Sequence, residues 1–258
     1  MDPKYGEHYR ELYKKHWWWR ARTELIVDTL DRLRPSQGWK NILDIGCGDG
    51  LFFDRLARFG EVEGVEPCAE LLDAAGPYRS RIHVCPFDEN FRPGKEYSLV
   101  LMLDVLEHLE NPGAALRRGL DLLTPDGLFV ITVPAFMALW TNHDLLNHHL
   151  IRYRKDSFRK IADLAGLRIQ QQRYFCHWTC PIKLGIGVME RVFRPRPSVP
   201  RIPVSWINDA LFWISRMEQK TLTALTMPFG SSLLIVGTRE TMPASEPLKA
   251  SNYLNAST

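Results

Sequence analysis

Much of what this chain could have been is excluded by what it lacks. No run of about eighteen apolar residues, the length that crosses a bilayer, occurs in its 258 residues. Cys47, Cys68, Cys85, Cys176 and Cys180 contain no Cys-x-x-Cys pair, and five is an odd count. A disulfide framework or a zinc site is therefore not expected, and a reduced compartment is. An excess of one charge is missing too: 33 Lys and Arg stand against 30 Asp and Glu, a net +3, with the basic residues scattered. That balance, and the lack of an Asn-Pro-Pro-Tyr-like base-binding tetrad, argues against nucleic acid as a partner. Residues 1–10 are polar, unlike a secretory leader, so a cytoplasmic protein is expected. No Gly-x-Gly-x-x-Gly turn is present, which removes the dinucleotide-dependent dehydrogenases. What remains is enough chain for one large α/β domain with an insertion.

The informative stretch is residues 41–50, Asn-Ile-Leu-Asp-Ile-Gly-Cys-Gly-Asp-Gly. Ile42, Leu43 and Ile45 read as a strand buried on both faces. It breaks into Gly46, Gly48 and Gly50, and a helical pattern follows at Leu51, Phe52, Leu56 and Phe59. Strand, glycine turn and helix open a βαβ unit whose turn lets a ligand approach the backbone. Asp44 sits at the strand end, where a carboxylate suits a ligand carrying an ammonium and a sulfonium better than one carrying phosphates. The octet from Leu43 to Gly50 resembles the first motif of class I S-adenosylmethionine (SAM)-dependent methyltransferases. The resemblance implies a Rossmann-like, doubly wound, seven-stranded sheet with its last strand antiparallel, SAM as cofactor and a small-molecule acceptor. It also places Gly46, Cys47, Gly48 and Asp44 against the cofactor.

Upstream, His16-Trp17-Trp18-Trp19-Arg20-Ala21-Arg22 leads into a helical pattern with Leu25, Ile26, Leu30 and Leu33 on one face. Three adjacent tryptophans cannot share a helix face, so at least one covers something outside the core. Two readings stay open for residues 1–38: a helix packed over the sheet, or a flap over the cofactor site. In the second, Arg20 or Arg22 meets the SAM carboxylate and Trp18 faces substrate. The Trp-Trp-x-Arg-Ala-Arg pattern resembles a bacterial subgroup of these methyltransferases. Downstream, residues 61–66 alternate as a strand ending in Glu66, before Pro67. An acid there can accept from both ribose hydroxyls. Residues 68–75 read as a helix and residues 81–85 as strand three. In the family pattern the acid after that strand accepts from the adenine amine, which makes Asp88 the candidate with Phe87 beside the ring.

Residues 97–103 are nearly all apolar and read as a central parallel strand. It ends at Leu103, Asp104 and Val105, which the resemblance sets against the cofactor, and runs into Glu107-His108. That Asp-x-x-Glu-His set is similar to the one in ubiquinone-type O-methyltransferases. A base pair of groups, a divalent metal site or a simple helix start compete there, and no metal is expected. After strand five at residues 128–133, the loop 134–149 leaves the sheet over the crevice carrying Trp140, His143, Asp144, His148 and His149, followed by Arg152 and Tyr153. The subgroup pattern of His-Asp, a His six residues on and then Arg-Tyr falls on His143-Asp144, His149 and Arg152-Tyr153. His143 and His149 are the candidate bases, and Trp140, Arg152 and Tyr153 the candidate acceptor contacts.

Residues 168–175 and 232–237 read as strands six and seven. Family members usually join these by a hairpin, yet here residues 176–230 intervene, with two apolar patches around a proline-rich bridge. The core is thus expected over 39–175 and 231–239, and the insertion as a lid over an apolar pocket. A dimer face and a membrane-surface face stay open for it, as do monomer and homodimer. Residues 240–258, rich in Pro, Ala and Ser, are expected to be mobile. SAM is already a strong electrophile, so the chain need only align an acceptor, exclude water and, for a hydroxyl or carbon acid, supply a base. O-methylation of an apolar or lipid-like metabolite is the reading favoured. A non-catalytic SAM-binding subunit and a non-methylating SAM enzyme such as a cyclase are the alternatives.

Overall fold

The computed structural model describes residues 3–222 and 227–240; the tail beyond residue 240, expected to be mobile, lies outside them. The chain begins with two helices, α1 (Pro3–Lys15) and α2 (Trp17–Leu33), of which the sequence pattern revealed only the second. His16 separates them as the N-cap of α2, its Nδ1 accepting from Trp18 N at 3.2 Å. Seven strands follow: β1 (Asn41–Ile45), β2 (Glu61–Val65), β3 (Ile82–His83), β4 (Tyr97–Leu103), β5 (Leu123–Pro134), β6 (Leu167–Phe175) and β7 (Ser232–Arg239). Their order across the sheet is β3-β2-β1-β4-β5-β7-β6, with β7 antiparallel to both neighbours and the pairs from β3 to β5 parallel. This is the expected Rossmann-like doubly wound fold.

Alternation along the strands divides the core between two faces. From β4, Val100 and Met102 join Leu43, Phe129 and Ile131 beneath α4 (Pro112–Asp121) and α6 (Lys155–Ala165), through Leu116 and Phe158. Leu99 and Leu101 point the other way, with Ile42, Val130 and Leu234, against Leu25, Ile26 and Leu30 of α2. Gly166 closes α6 with φ of 82°, a left-handed C-cap that glycine adopts without strain.

Three local expectations fail for identifiable reasons. Residues 68–75 form only a 3-10 turn at Ala69–Leu71. The backbone donors a helix would use go elsewhere: Asp73 N to Asp49 Oδ1 at 2.9 Å, and Ala75 N to Asp73 Oδ1 at 2.9 Å. The helix after Gly50 is a single turn, α3 (Phe53–Leu56). Strand five, expected over residues 128–133, begins already at Leu123, with residues 124–127 taken into β5 as an irregularity where the register slips between Tyr97 and Leu99.

Between β6 and β7 stand two helices, α7 (Thr179–Phe193) and α8 (Ser205–Thr221). The apolar stripe of α8 was expected to close over a pocket, and it does not. Trp206, Trp213 and Met217 are exposed, while Asn208, Ser215, Arg216 and Gln219 are buried. The buried set locks α8 onto the N-terminal helices. Asn208 Nδ2 donates to Lys15 O at 2.8 Å, Gln219 Nε2 to Ala21 O at 3.0 Å, and Arg216 pairs with Asp28 at 2.8 Å. Trp17 stacks on Trp178 with centroids 5.2 Å apart, so one ring of the triplet does cover a region outside the core.

Candidate functional site

The carboxyl ends of β1, β2, β4 and β5 meet in one crevice, the position where open α/β sheets bind ligands. On the β1 side, Gly46, Gly48 and Gly50 all have left-handed φ, 71°, 53° and 67°. A Cβ on Gly46 would lie 2.6 Å from Val105 Cγ2, so close approach of the strand-four loop demands glycine there. At Gly48 a Cβ would meet nothing within 4 Å: the backbone faces open space, the condition for a ligand to lie against it. Cys47 packs its sulfur over Gly64, where a Cβ would come within 2.4 Å of Sγ.

Two acids flank this turn. Asp44 is 4 % exposed, and burial pushes its carboxyl up to about 7, with Arg22 pulling down and Glu66 pushing up. Glu66, also buried, accepts from Gly48 N and Cys68 N, both at 3.0 Å, so it braces the glycine turn. Burial raises its carboxyl as well, against those two hydrogen bonds. Pro67 beside it is exposed. Arg22 reaches the crevice from α2, but its guanidinium is engaged with Asp104 Oδ2 at 2.7 Å and Thr132 Oγ1 at 3.4 Å, leaving Nε buried without a partner among the described residues. Trp18, half-buried, lies with its ring 5.8 Å from that guanidinium. Helix α1 adds a contact the sequence did not disclose: Arg10 donates to Asp49 Oδ2 and Leu71 O, both at 3.1 Å, tying the N-terminus to the glycine turn. Across the sheet, Phe87 meets Phe91 at 5.7 Å, and the exposed Asp88 accepts from Asn90 N in its own turn.

Leu103 and Asp104 carry the chain out of β4, Asp104 in the left-handed region with φ of 59°. Asp104 N donates to Thr132 O at 2.9 Å and its Oδ1 accepts from Thr132 Oγ1 at 3.1 Å, which fixes the turn. Glu107 follows, fully buried, with neither carboxylate oxygen hydrogen-bonded among the described residues. Burial, and next the charge of Asp104, hold its carboxyl well above the usual range. His108 faces His149 edge to face at 4.7 Å; burial, and then His149, lower it to about 4.

The loop after β5 supplies the opposite wall. A short helix, α5 (Asn142–Leu146), is set by a capping box in which Thr141 and Asp144 satisfy each other's backbone. Asp144 is wholly buried and collects five donors: Arg152 Nε at 2.8 Å, Arg152 Nη2 at 2.9 Å, Thr141 N at 2.9 Å, Thr141 Oγ1 at 3.4 Å and His149 Nδ1 at 2.8 Å. Burial pushes this carboxyl up, but the hydrogen bonds from His149 and Arg152 and the guanidinium charge outweigh it. They hold Asp144 well below the usual carboxylate range. An ionised carboxylate only accepts, so His149 Nδ1 carries the proton and Nε2 is left as the basic nitrogen.

The other expected residues are placed differently. His143 has Asn147 Nδ2 against its ring at 3.2 and 3.3 Å, no carboxylate partner, and is lowered to about 4, chiefly by burial. Arg152 is consumed by Asp144 and by Ala135 O at 3.2 Å. Tyr153 is fully buried, its hydroxyl donating to Leu106 O at 3.1 Å. Both were expected as acceptor contacts, and both instead fasten the loop to the core. Trp140 is half-buried at the loop's turn, beneath α7, whose Gly187 packs against Trp140 O. One group was missed outright. Lys183 of α7 is half-buried above this cluster, and burial, with Arg152 next, lowers it to about 8. Its signal was a lone cation on an otherwise apolar helix face. Glu107, His108 and His149 also place their ligand atoms within 4.8 Å of one another, a set able to hold a cation. No metal was expected from the sequence.

Known proteins match the same architecture. A family model described as a methyltransferase domain matches residues 18–172. The ubiquinone biosynthesis O-methyltransferase of Azorhizobium caulinodans is 34% identical over 146 residues, 51% of this chain and 57% of that protein. Its namesake in Bradyrhizobium diazoefficiens is 35% identical over 101 residues, 37% of this chain and 40% of that protein. The alignments thus span about half the length of these curated relatives. Among solved structures, a TehB-like SAM-dependent methyltransferase from Corynebacterium glutamicum superposes with a TM-score of 0.52 at 19% identity, covering 92% of this chain and 100% of that one. A SAM-dependent methyltransferase from Mesorhizobium loti gives 0.52 at 18%, covering 82% and 96%. Those two establish the fold. With the family model matched over more than half of this chain, the chain belongs to the methyltransferase-domain family.

Proposed function

We propose that this enzyme methylates an oxygen of a small, apolar acceptor, with His149 as general base. The observation that carries the reading is the His149–Asp144 pair: an imidazole fixed at 2.8 Å by a buried carboxylate that Arg152 holds ionised. Acids in that relation to a histidine orient the ring and stabilise the imidazolium that forms. The cofactor supplies an electrophilic methyl group on a sulfonium. Asp44 would hold the cofactor's cationic end, Glu66 the ribose side through the glycine turn it braces, and Gly46, Cys47 and Gly48 the main body. Leu103, Asp104 and Val105 would line the floor between cofactor and acceptor. His149 Nε2 takes the proton from the acceptor hydroxyl as the oxygen is alkylated. His108, neutral at pH 7, lies beside it without competing for charge. The curated relatives' name, ubiquinone biosynthesis O-methyltransferase, supports an oxygen acceptor.

The test is His149→Gln. With catechol and phenol acceptors, kcat should fall by about 10² to 10⁴, the usual worth of a general base, while S-adenosylhomocysteine binding by calorimetry stays unchanged. Retention of wild-type kcat overturns the assignment. A second reading is favoured by the orphaned carboxylate of Glu107: a divalent cation held by Glu107, His108 and His149. It predicts loss of activity on chelation, recovered with added Mg²⁺ or Mn²⁺. Chelation without effect removes it.

A further inference from the structure

Helix α7 has two unlike faces. Cys180, Lys183, Gly187 and Glu190, spaced three and four apart, turn inward over the acceptor loop. There Glu190 accepts from Asn142 N at 2.7 Å, and Asn142 Nδ2 donates to Pro195 O at 3.0 Å. The opposite stripe, Ile182, Ile186, Met189 and Phe193, is exposed, Phe193 by 76 %. Helix α8 repeats the inversion, with its polar residues buried against α2 and Trp206 and Trp213 exposed by 74 % and 61 %. Large apolar surfaces of this kind are uncommon on soluble monomers.

Charge says what they face. Arg191 lies in the last turn of α7, and the proline-rich bridge between the two stripes carries Arg194, Arg196 and Arg201, all four exposed and none in an ion pair among the described residues. Over residues 179–222 there are seven Lys and Arg against three acids, a surplus of four where the whole chain has a surplus of three. The three acids, moreover, are engaged: Glu190 with Asn142, Asp209 with Arg20 at 2.7 Å, Glu218 with Trp178 N at 2.9 Å. Bulky apolar side chains, two tryptophans and unpaired arginines on amphipathic helices are the composition of an interfacial helix on an anionic bilayer. No helix among the described residues is long and apolar enough to cross one.

We propose that the outward face of α7 and α8 docks on the anionic surface of a lipid bilayer, the arginine bridge lying at the headgroups and Trp206, Trp213 and Phe193 in the interface. Because the inner face of α7 covers the acceptor loop, docking sets the acceptor side of the crevice against the membrane. The inference is independent of the O-methylation reading, since docking is measured without catalysis.

Flotation of the full chain with vesicles tests it. The wild type should float with phosphatidylglycerol/phosphatidylcholine vesicles and roughly tenfold less with phosphatidylcholine alone, the difference shrinking in high salt. Trp206→Ser with Trp213→Ser, and separately Arg194→Glu with Arg196→Glu, should each cut partitioning about tenfold or more. S-adenosylhomocysteine affinity, unchanged in both, shows that the variants are folded. Equal binding to neutral vesicles, no binding at all, or binding indifferent to both variants would overturn the proposal. So would a wild-type dimer, seen by light scattering, that the tryptophan variant dissociates, because the face then belongs to a second copy.

Discussion

The cofactor half of the crevice draws its groups from residues close in sequence, Asp44, Gly48 and Glu66, and these are satisfied largely by backbone. The acceptor half draws on Glu107, Asp144, His149, Arg152 and Lys183, from the β4 loop, the β5 loop and α7, and at its centre Asp144, His149 and Arg152 satisfy one another. The first is a conformation; the second is a network. A conformation tolerates the loss of one side chain if the turn survives, whereas a buried network left with one uncompensated charge does not.

The largest effect that would test this contrast is Asp144→Ala. It strands Arg152 in the interior and frees His149, so stability should fall by about 3–5 kcal/mol and kcat by a factor comparable to losing the histidine. Chemical denaturation and steady-state rates read both. A loss under about 1 kcal/mol would show that the pair is hydrated and the contrast false.

Gly46→Ala should come next. The added Cβ meets both the left-handed φ of 71° and Val105 Cγ2 at 2.6 Å. A cost of about 1–3 kcal/mol and a parallel loss of cofactor affinity are expected, read by thermal melting and calorimetry. Unchanged affinity in a destabilised variant would separate the turn from the cofactor.

The smallest effect is a pH dependence. Burial raises Asp44 to about 7, so its carboxyl is neutral below that value and charged above it. A ligand carrying an ammonium group draws on the charged form. S-adenosylhomocysteine affinity should therefore rise roughly tenfold from about pH 6 to pH 8, and Asp44→Asn should flatten the curve at its weak end. A flat wild-type profile would dissociate Asp44 from the ligand's cation.

Local signals explain what was legible. The octet around Gly48 was readable because three left-handed residues at alternate positions, Gly46, Gly48 and Gly50, leave few side-chain choices. The strands of the sheet centre were readable because burial on both faces forces apolar runs. By contrast, α1 was not read, since its apolar stripe, Tyr9, Leu12 and Tyr13, is short and set among charged residues, and its tie to Asp49 through Arg10 spans 39 residues. The turn at residues 69–71 looked helical because its sequence is apolar enough, while the bonds that unwind it come from Asp49, more than twenty residues away. Arg152 and Tyr153 were recognised by pattern as site residues. Their pattern reflects the architecture of the loop, which the sequence alone does not separate from contact with an acceptor.

The sequence by itself determined the sheet, the glycine turn and the methyltransferase-domain family, because each rests on contiguous residues whose backbone or burial leaves few alternatives. Only tertiary structure decided which histidine meets a carboxylate, that Arg22 turns to Asp104, and that α8 shows its apolar stripe to solvent. Those outcomes depend on which partner reaches a group first across the fold, and helical periodicity, equal for either face, carries no sign of which side will be covered.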